Sequence, residues 1–211
     1  MLRDSSLVSL FDGSSVVNLY LLTTQFKALS RCWQQSPKAP MSASLPVCEL
    51  TAPLPEFSCS QLSLASGGQN CFLESLPSAF EAARSLRGVG CPPAEVARAL
   101  QQQVNLLDAT AHTLMEQMSG INFASPHTVS SQAFDQARDY CALEAAAMVI
   151  QVWLANRGRV KGYFAEGPWL VQALARLNAC LGQRTNVNED LIEALAGQLD
   201  QKSELVSCFA A

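Results

Sequence analysis

An acid and a glycine beside the start of a predicted helix form the stretch of this sequence best suited to chemistry. Asp12 is followed by Gly13, Ser14 and Ser15, and a helical pattern of apolar residues begins at Val16. Glycine can form a tight turn or let a ligand approach the backbone, and either serine can cap the helix. The free N–H groups at a helix start attract phosphate or a carbonyl oxygen. The pattern therefore predicts a carboxylate beside an anion-binding helix start, although ordinary loops that enter helices share it.

The same segment resembles the one near the end of the catalytic core of acyl-CoA dehydrogenases. In that family an Arg–Asp pair precedes an aromatic residue, an acid, a glycine and a threonine, and a helix follows. The corresponding residues here are Arg3, Asp4, Phe11, Asp12, Gly13 and Ser14. The resemblance implies α,β-dehydrogenation of an acyl thioester with FAD as cofactor. It implies Asp12 as the base that takes the α-proton, and Gly13 and Ser14 as cofactor contacts.

Two kinds of departure from the family pattern affect these expectations. The usual base is glutamate, and Asp12 shortens its reach by one bond, roughly 1.5 Å. A reacting group misplaced by about 1 Å can lose on the order of a hundredfold in rate, so Asp12 requires a closer approach of the backbone to the substrate. Ser14 keeps the hydroxyl of threonine, whereas Val16 and Tyr20 replace polar or basic residues that are common in the family.

The resemblance also implies what surrounds this chain. It corresponds to the C-terminal part of the enzyme followed by an extra helical domain, so that missing N-terminal and middle domains supply most of the FAD and acyl-CoA site. We expect the chain alone to bind no FAD tightly and to be inactive, and the assembled enzyme to be a homo-oligomer. The alternative is a non-catalytic helical interaction or oligomerisation module that docks on a larger protein.

Composition excludes several other classes of protein. The chain has 211 residues and is 49% hydrophobic, 15% charged and of net charge −4, so no basic field favours nucleic acid or an anionic membrane. Eight cysteines without a C-x-x-C pair, together with two histidines, predict no metal site. They favour reduced thiols in a cytoplasmic protein over a secreted one, with Cys141 and Cys180 as small buried hydrophobes. No signal peptide and no transmembrane segment is predicted.

The pattern along the chain predicts an all-α fold in three parts. Residues 1–35 contain the acidic turn and one helix from Val16 to about Trp33, because apolar residues recur there at intervals of three and four. Residues 36–71 are rich in proline and serine and form a linker. Residues 72–211 form the helical domain, which begins with a short helix capped by Ser78 and Glu81.

Four longer helices complete a predicted antiparallel bundle. They cover residues 92–120, 130–156, 167–182 and a segment that begins at Asn188. The first has one apolar stripe, formed by Val96, Leu100, Val104, Leu107, Ala111, Leu114 and Met118. The second begins at Ser130 or Ser131 and is apolar on two sides, which predicts a central position in the bundle.

A few other side chains have both a structural and a chemical interpretation. His112, near Asp108, is predicted to be a surface residue that interacts with its helix neighbours, because a metal or acid–base role would need partners that the sequence does not offer. Glu144 lies in an apolar helix, where it either pairs with a neighbour or acts as a buried base. Trp153 and Trp169 are predicted core anchors, with a subunit contact as the alternative.

Overall fold

The fold is entirely helical wherever the structure describes the chain. The computed structural model describes residues 15–35, 48–49, 71–86, 92–121, 129–184 and 193, and no strand occurs among them. Its helices are α1 Ser15–Thr24, α2 Phe26–Gln35, α3 Cys71–Arg84, α4 Ala94–Gly120, α5 Ser131–Asn156, α6 Tyr163–Glu166 and α7 Pro168–Cys180. The predicted all-α fold is confirmed.

The long helix α4 buries the apolar stripe that its sequence predicted. All seven stripe residues are buried, and Val104, Leu107, Ala111 and Met118 are completely inaccessible. Helix α4 packs against α2, α3, α5 and α7. Its stripe therefore forms part of the core at the contacts of α4 with several helices.

The other long helix, α5, occupies the central position predicted for it. It packs against α1, α3, α4 and α7. The Gln136 side-chain amide near the start of α5 donates to the Gln117 side-chain oxygen near the end of α4 at 3.4 Å. The end of α4 and the start of α5 therefore lie side by side, in agreement with an antiparallel bundle.

The predicted start of the short helix is wrong. The capping pattern predicts a start at Ser78, but α3 begins at Cys71 and contains Pro77. An internal proline removes a backbone hydrogen bond; here the burial of Leu76, Ala79 and Phe80 outweighs this loss, because tertiary packing supplies most helical stability in proteins.

The single helix predicted from Val16 to Trp33 is divided into α1 and α2 at Gln25. The Gln25 N–H donates to the carbonyl of Leu22 at 3.0 Å rather than to that of Leu21, as an uninterrupted helix requires. The Leu21 carbonyl instead accepts the Thr24 hydroxyl at 2.6 Å, and the Tyr20 carbonyl accepts the Thr23 hydroxyl at 2.7 Å. Such back-bonding by threonine bends helices.

Buried amides and hydroxyls join the helices at defined points. The Asn178 amide of α7 donates to the Gln103 side-chain oxygen of α4 at 2.9 Å and to the Gln103 carbonyl at 3.1 Å. The Gln151 amide of α5 donates to the Ser75 hydroxyl of α3 at 2.8 Å. Each bond fixes one helix against another, since a buried polar group that loses its partner costs about 1–3 kcal/mol.

The predicted linker and the predicted fourth bundle helix lie almost wholly outside the described residues. Within the part of the chain that the structure describes, no helix combines the length and the apolar composition needed to cross a bilayer.

Candidate functional site

The predicted site residues Asp12, Gly13 and Ser14 lie outside the described residues. The structure describes the chain from Ser15, where α1 begins. The helix predicted to follow Asp12, Gly13 and Ser14 in the sequence is therefore present, as α1.

Helix α1 is the most apolar helix of the fold. Its sequence contains no charged residue, and it packs against α5. Leu22 and Thr23 are buried, whereas Leu19, Tyr20 and Leu21 are half-buried. A helix that is hydrophobic all round is normally enclosed by protein, and here the bundle covers only part of its surface.

Helix α2 holds this N-terminal region firmly on the bundle. Phe26 and Leu29 are buried, and the Ser30 hydroxyl donates to the Met115 carbonyl of α4 at 3.0 Å. The Trp33 ring packs edge-on against the His112 ring, with centroids 5.5 Å apart. Apolar, polar and aromatic contacts thus anchor α2 to α4.

A charged cluster joins α3 to α4 beside this aromatic pair. Arg84 forms an ion pair with Asp108 and donates to the Asn105 side-chain oxygen at 2.9 Å. The His112 Nε2 atom lies 3.7 Å from the Asp108 carboxylate, and the His112 side chain is 66% exposed. Because Asp108 is already neutralised by Arg84, the cluster is better suited to joining helices than to proton transfer. The prediction of a surface histidine beside its helix neighbours is confirmed.

The thiols of α5 and α7 are not placed as the sequence predicted. Cys141 and Cys180 are free and exposed, so their assignment as buried hydrophobes is wrong. For Cys141 the reason is that it lies on the outer side of α5, whereas Leu143, Glu144 and Ala147 are buried. Partial burial of the Cys141 thiol and, secondarily, the Glu144 carboxylate raise the pKa of Cys141. This thiol is therefore a weak nucleophile at neutral pH.

Glu144 itself is buried, with 6% of its surface exposed. Three other polar side chains of α5 are also buried, namely Gln136, Gln151 and Asn156. In the part of the chain that is described, no group of three or more histidine, cysteine, aspartate and glutamate side chains is placed to hold a metal ion.

Aromatic side chains converge where α5, α6 and α7 meet. The Trp153 indole N–H of α5 donates to the Phe164 carbonyl at 3.1 Å, and the Trp169 indole N–H of α7 donates to the same oxygen at 3.2 Å. Gly167 separates α6 from α7 at a φ of 82°. A Cβ atom there would lie 3.1 Å from the Trp153 ring, so glycine is required for this ring to pack against the turn.

The outer part of this region exposes both apolar surface and charge. The Arg157 guanidinium lies over the Trp153 ring, 5.3 Å from its centroid, and Tyr163 and Phe164 pack edge to face. Phe164 is 46% exposed, which makes it the one exposed large hydrophobic side chain among the described residues. We call this set, Trp153, Arg157, Tyr163, Phe164 and Trp169, the aromatic corner.

Two buried polar atoms of the aromatic corner lack hydrogen-bond partners in the described structure. They are the Tyr163 hydroxyl and the Arg157 Nη1 atom. Burial also raises the pKa of Tyr163, so its hydroxyl stays protonated at physiological pH.

Of the aromatic corner, the sequence predicted only the two tryptophans. Trp153 is buried as predicted, whereas Trp169 is half-exposed. A local signal for the missed residues does exist, because Gly162 and Gly167 enclose the pair Tyr163–Phe164 and both glycines have positive φ angles. Two closely spaced glycines around an aromatic pair indicate a tight turn that displays those rings.

We found no match between this chain and any protein-family model, curated protein or solved structure. The function is therefore argued from the residues themselves.

Proposed function

We propose that this chain is the C-terminal part of an FAD-dependent acyl-CoA dehydrogenase, with Asp12 as the base that removes the α-proton of an acyl thioester. The observation that carries the proposal is helix α1, Ser15–Thr24, which follows Asp12, Gly13 and Ser14 in the sequence. The resemblance requires a helix at this place, and the sequence order of acid, glycine, hydroxyl residue and helix is kept.

The surroundings of α1 support the same proposal. The helix has no charged residue, and Leu19, Tyr20 and Leu21 stay half-buried when its other side packs on α5. A catalytic core that covered these residues would enclose α1 on all sides, as its composition favours. The helical domain would then hold the acidic turn against that core.

The proposed chemistry assigns one step to each group. The Asp12 carboxylate accepts the α-proton, and the electron pair left on the α-carbon forms the new double bond as a hydride leaves the β-carbon. FAD, when bound, accepts that hydride. Gly13 and Ser14 would contact the cofactor, and the free N–H groups at the start of α1 would attract nearby oxygen atoms.

The finer parts of the proposal concern partners and location. The substrate is an acyl-CoA, the N-terminal and middle domains come from other polypeptide sequence, and the assembly is a homo-oligomer. A cytoplasmic location agrees with the lack of a disulfide at Cys32, Cys48, Cys141 and Cys180, since reduced cysteine is typical of that compartment.

Co-expression of the full chain with its neighbouring coding segments tests this function. We expect a yellow assembly that exchanges the α-proton of a bound acyl-CoA with solvent deuterium. Asp12→Asn should abolish exchange while flavin stays bound, Asp12→Glu should retain it, and Asp4→Asn provides a control acid in the same segment. Exchange that survives Asp12→Asn, or an assembly that never contains flavin, would refute the proposal.

The aromatic corner favours a second candidate function, a helical module that docks on a larger protein without catalysis. Its exposed Phe164 is the kind of aromatic anchor that protein interfaces use. Size-exclusion chromatography of the co-expressed proteins separates the two functions. A complex that forms without flavin and contains none supports the docking module, whereas flavin that co-elutes with the complex supports the enzyme.

A further inference from the structure

The loop between α5 and α6 concentrates positive charge beside the aromatic corner. Arg157, Arg159 and Lys161 lie within five residues, in a chain whose net charge is −4. No acid lies within residues 156–165, and the next one is Glu166, the last residue of α6. Three cations beside this one acid make the local charge positive, opposite in sign to that of the whole protein, which favours an acidic partner.

Two of these three cations have no carboxylate partner in the described structure. Arg159 pairs with Glu49 at 2.9 Å, whereas neither Arg157 nor Lys161 takes part in an ion pair. The Arg157 guanidinium is held over the Trp153 ring, which fixes its position without neutralising it. Positioned, unpaired cations suit carboxylates supplied from outside the chain.

The exposure of Phe164 is imposed by the fold. Its carbonyl accepts both indole N–H groups, from Trp153 and Trp169, and its ring contacts the rings of Tyr163 and Trp169. The backbone of α6 is thus fastened on two sides while the Phe164 side chain remains 46% exposed. A rigid exposed aromatic residue needs little ordering on binding, which lowers the entropy cost of forming an interface.

We propose that the aromatic corner and its basic loop bind an acidic protein segment that carries an apolar anchor residue. Carboxylates of the partner meet Arg157 and Lys161, and the anchor packs on Phe164 and Trp169. The proposal does not depend on Asp12 or on flavin, so its failure would leave the dehydrogenase proposal unchanged.

The three tryptophans of the full-length chain provide the readout. Trp153 and Trp169 lie in the corner, whereas Trp33 packs against His112 on α4 and serves as an internal reference. The probe is a short blocked peptide of alternating glutamate and phenylalanine, titrated while the indole N–H signals are followed by NMR. We expect saturable shifts of the Trp153 and Trp169 signals, an unchanged Trp33 signal, and weaker binding when salt rises from about 0.05 to 0.5 M.

Matched variants assign the binding to charge and to the aromatic anchor. Lys161→Glu and Phe164→Ala alter exposed side chains and should each weaken binding about tenfold or more. Arg98→Glu makes the same charge change at an exposed position on α4 and should leave affinity within about twofold. Peptides with lysine in place of glutamate, or serine in place of phenylalanine, should not bind.

Several results would overturn the proposal. They are equal shifts of all three indoles, binding that is indifferent to Lys161→Glu and Phe164→Ala, and no saturable binding at all. Binding to vesicles of phosphatidylcholine and phosphatidylserine without binding to the acidic peptide would also overturn it, because the corner would then recognise a lipid surface instead of a protein.

Discussion

Helices α4 and α5 have almost the same length and lie side by side, but they are held in different ways. α4 turns a stripe of large apolar side chains toward the core and buries one amide, Gln103. α5 buries four large apolar side chains (Tyr140, Leu143, Ile150 and Trp153), four alanines and four polar side chains. Apolar burial therefore contributes to both helices, and α5 adds buried polar groups and specific contacts at its two ends.

The difference shows where substitutions should matter in each helix. In α4 the centre of the stripe should dominate stability, because burial of large side chains is the main favourable contribution there. In α5 the two ends should add to the contribution of its buried side chains, since its amino terminus has a side-chain cap and its carboxyl terminus has the aromatic contacts. The substitutions below test this contrast.

Leu107→Ala should have the largest effect, because it removes a side chain with no exposed surface from the middle of α4. We expect the free energy of unfolding to fall by about 3 kcal/mol, within the usual range for buried leucine. Urea denaturation measures the change. Leu106→Ala, at the half-buried neighbour, is the control, and an equal loss in both variants would show that α4 is not held by its stripe.

Gly167→Ala should be the next most severe, because it acts at the carboxyl-terminal contacts of α5. Gly182 also has a positive φ, but a Cβ there would meet nothing within 4 Å. Gly182→Ala should therefore cost only the backbone strain, about 1–2 kcal/mol, and Gly167→Ala about 1 kcal/mol more as Trp153 is displaced. Denaturation and the Trp153 fluorescence spectrum report both effects. Equal losses would mean that the ring moves aside freely.

Ser130→Ala should cost about 1 kcal/mol, because it removes the cap at the other end of α5. The Ser130 hydroxyl accepts the Ala133 N–H at 3.2 Å. Ser131→Ala, one residue into the helix, should change the free energy of unfolding by less than about 0.5 kcal/mol. A reversed order, measured by thermal unfolding, would place the start of α5 one residue later.

Asp139→Asn should have the smallest effect and the opposite sign. Burial raises the pKa of Asp139; Asp135 raises it further, while Arg138 lowers it. An acid with a raised pKa binds protons more tightly in the folded state, so stability falls as pH rises from the unfolded value of about 3.9 through the folded value. Asp139→Asn should raise the free energy of unfolding at pH 7 by less than about 1 kcal/mol after solvent screening, which raises the melting temperature, and should change nothing near pH 2. A lower melting temperature at pH 7 would contradict this.

The sequence predicted α4 well and α5 only partly, for physical reasons. A stripe of large apolar residues has one favourable orientation, so periodicity locates the buried face of α4. α5 is rich in alanine and apolar on two sides, and periodicity alone could not decide that Cys141 faces outward while Glu144 and Gln151 face inward. Those orientations depend on partners distant in sequence, such as Ser75 for Gln151.

The same limit applies to the candidate sites. The acidic turn at Asp12 could be predicted because neighbouring residues in sequence carry its pattern. The sequence pattern does not indicate the aromatic corner, because both indoles bind the backbone carbonyl of Phe164 and every residue has a carbonyl. Likewise Pro77 and Ser78 indicated a helix start, but burial of the residues around them placed that start at Cys71.

The two threonines at the end of α1 give the N-terminal region a property of its own. Their hydroxyls bond to carbonyls within the same turn, which favours a bend at Gln25 through local contacts, while the packing of α1 on α5 and of α2 on α4 supports it from outside. Replacing both threonines with alanine should therefore straighten a synthetic peptide of residues 15–35 more than it straightens the full chain. The angle between α1 and α2 would then have two sources, one written in two hydroxyl groups and one in the helices beneath them.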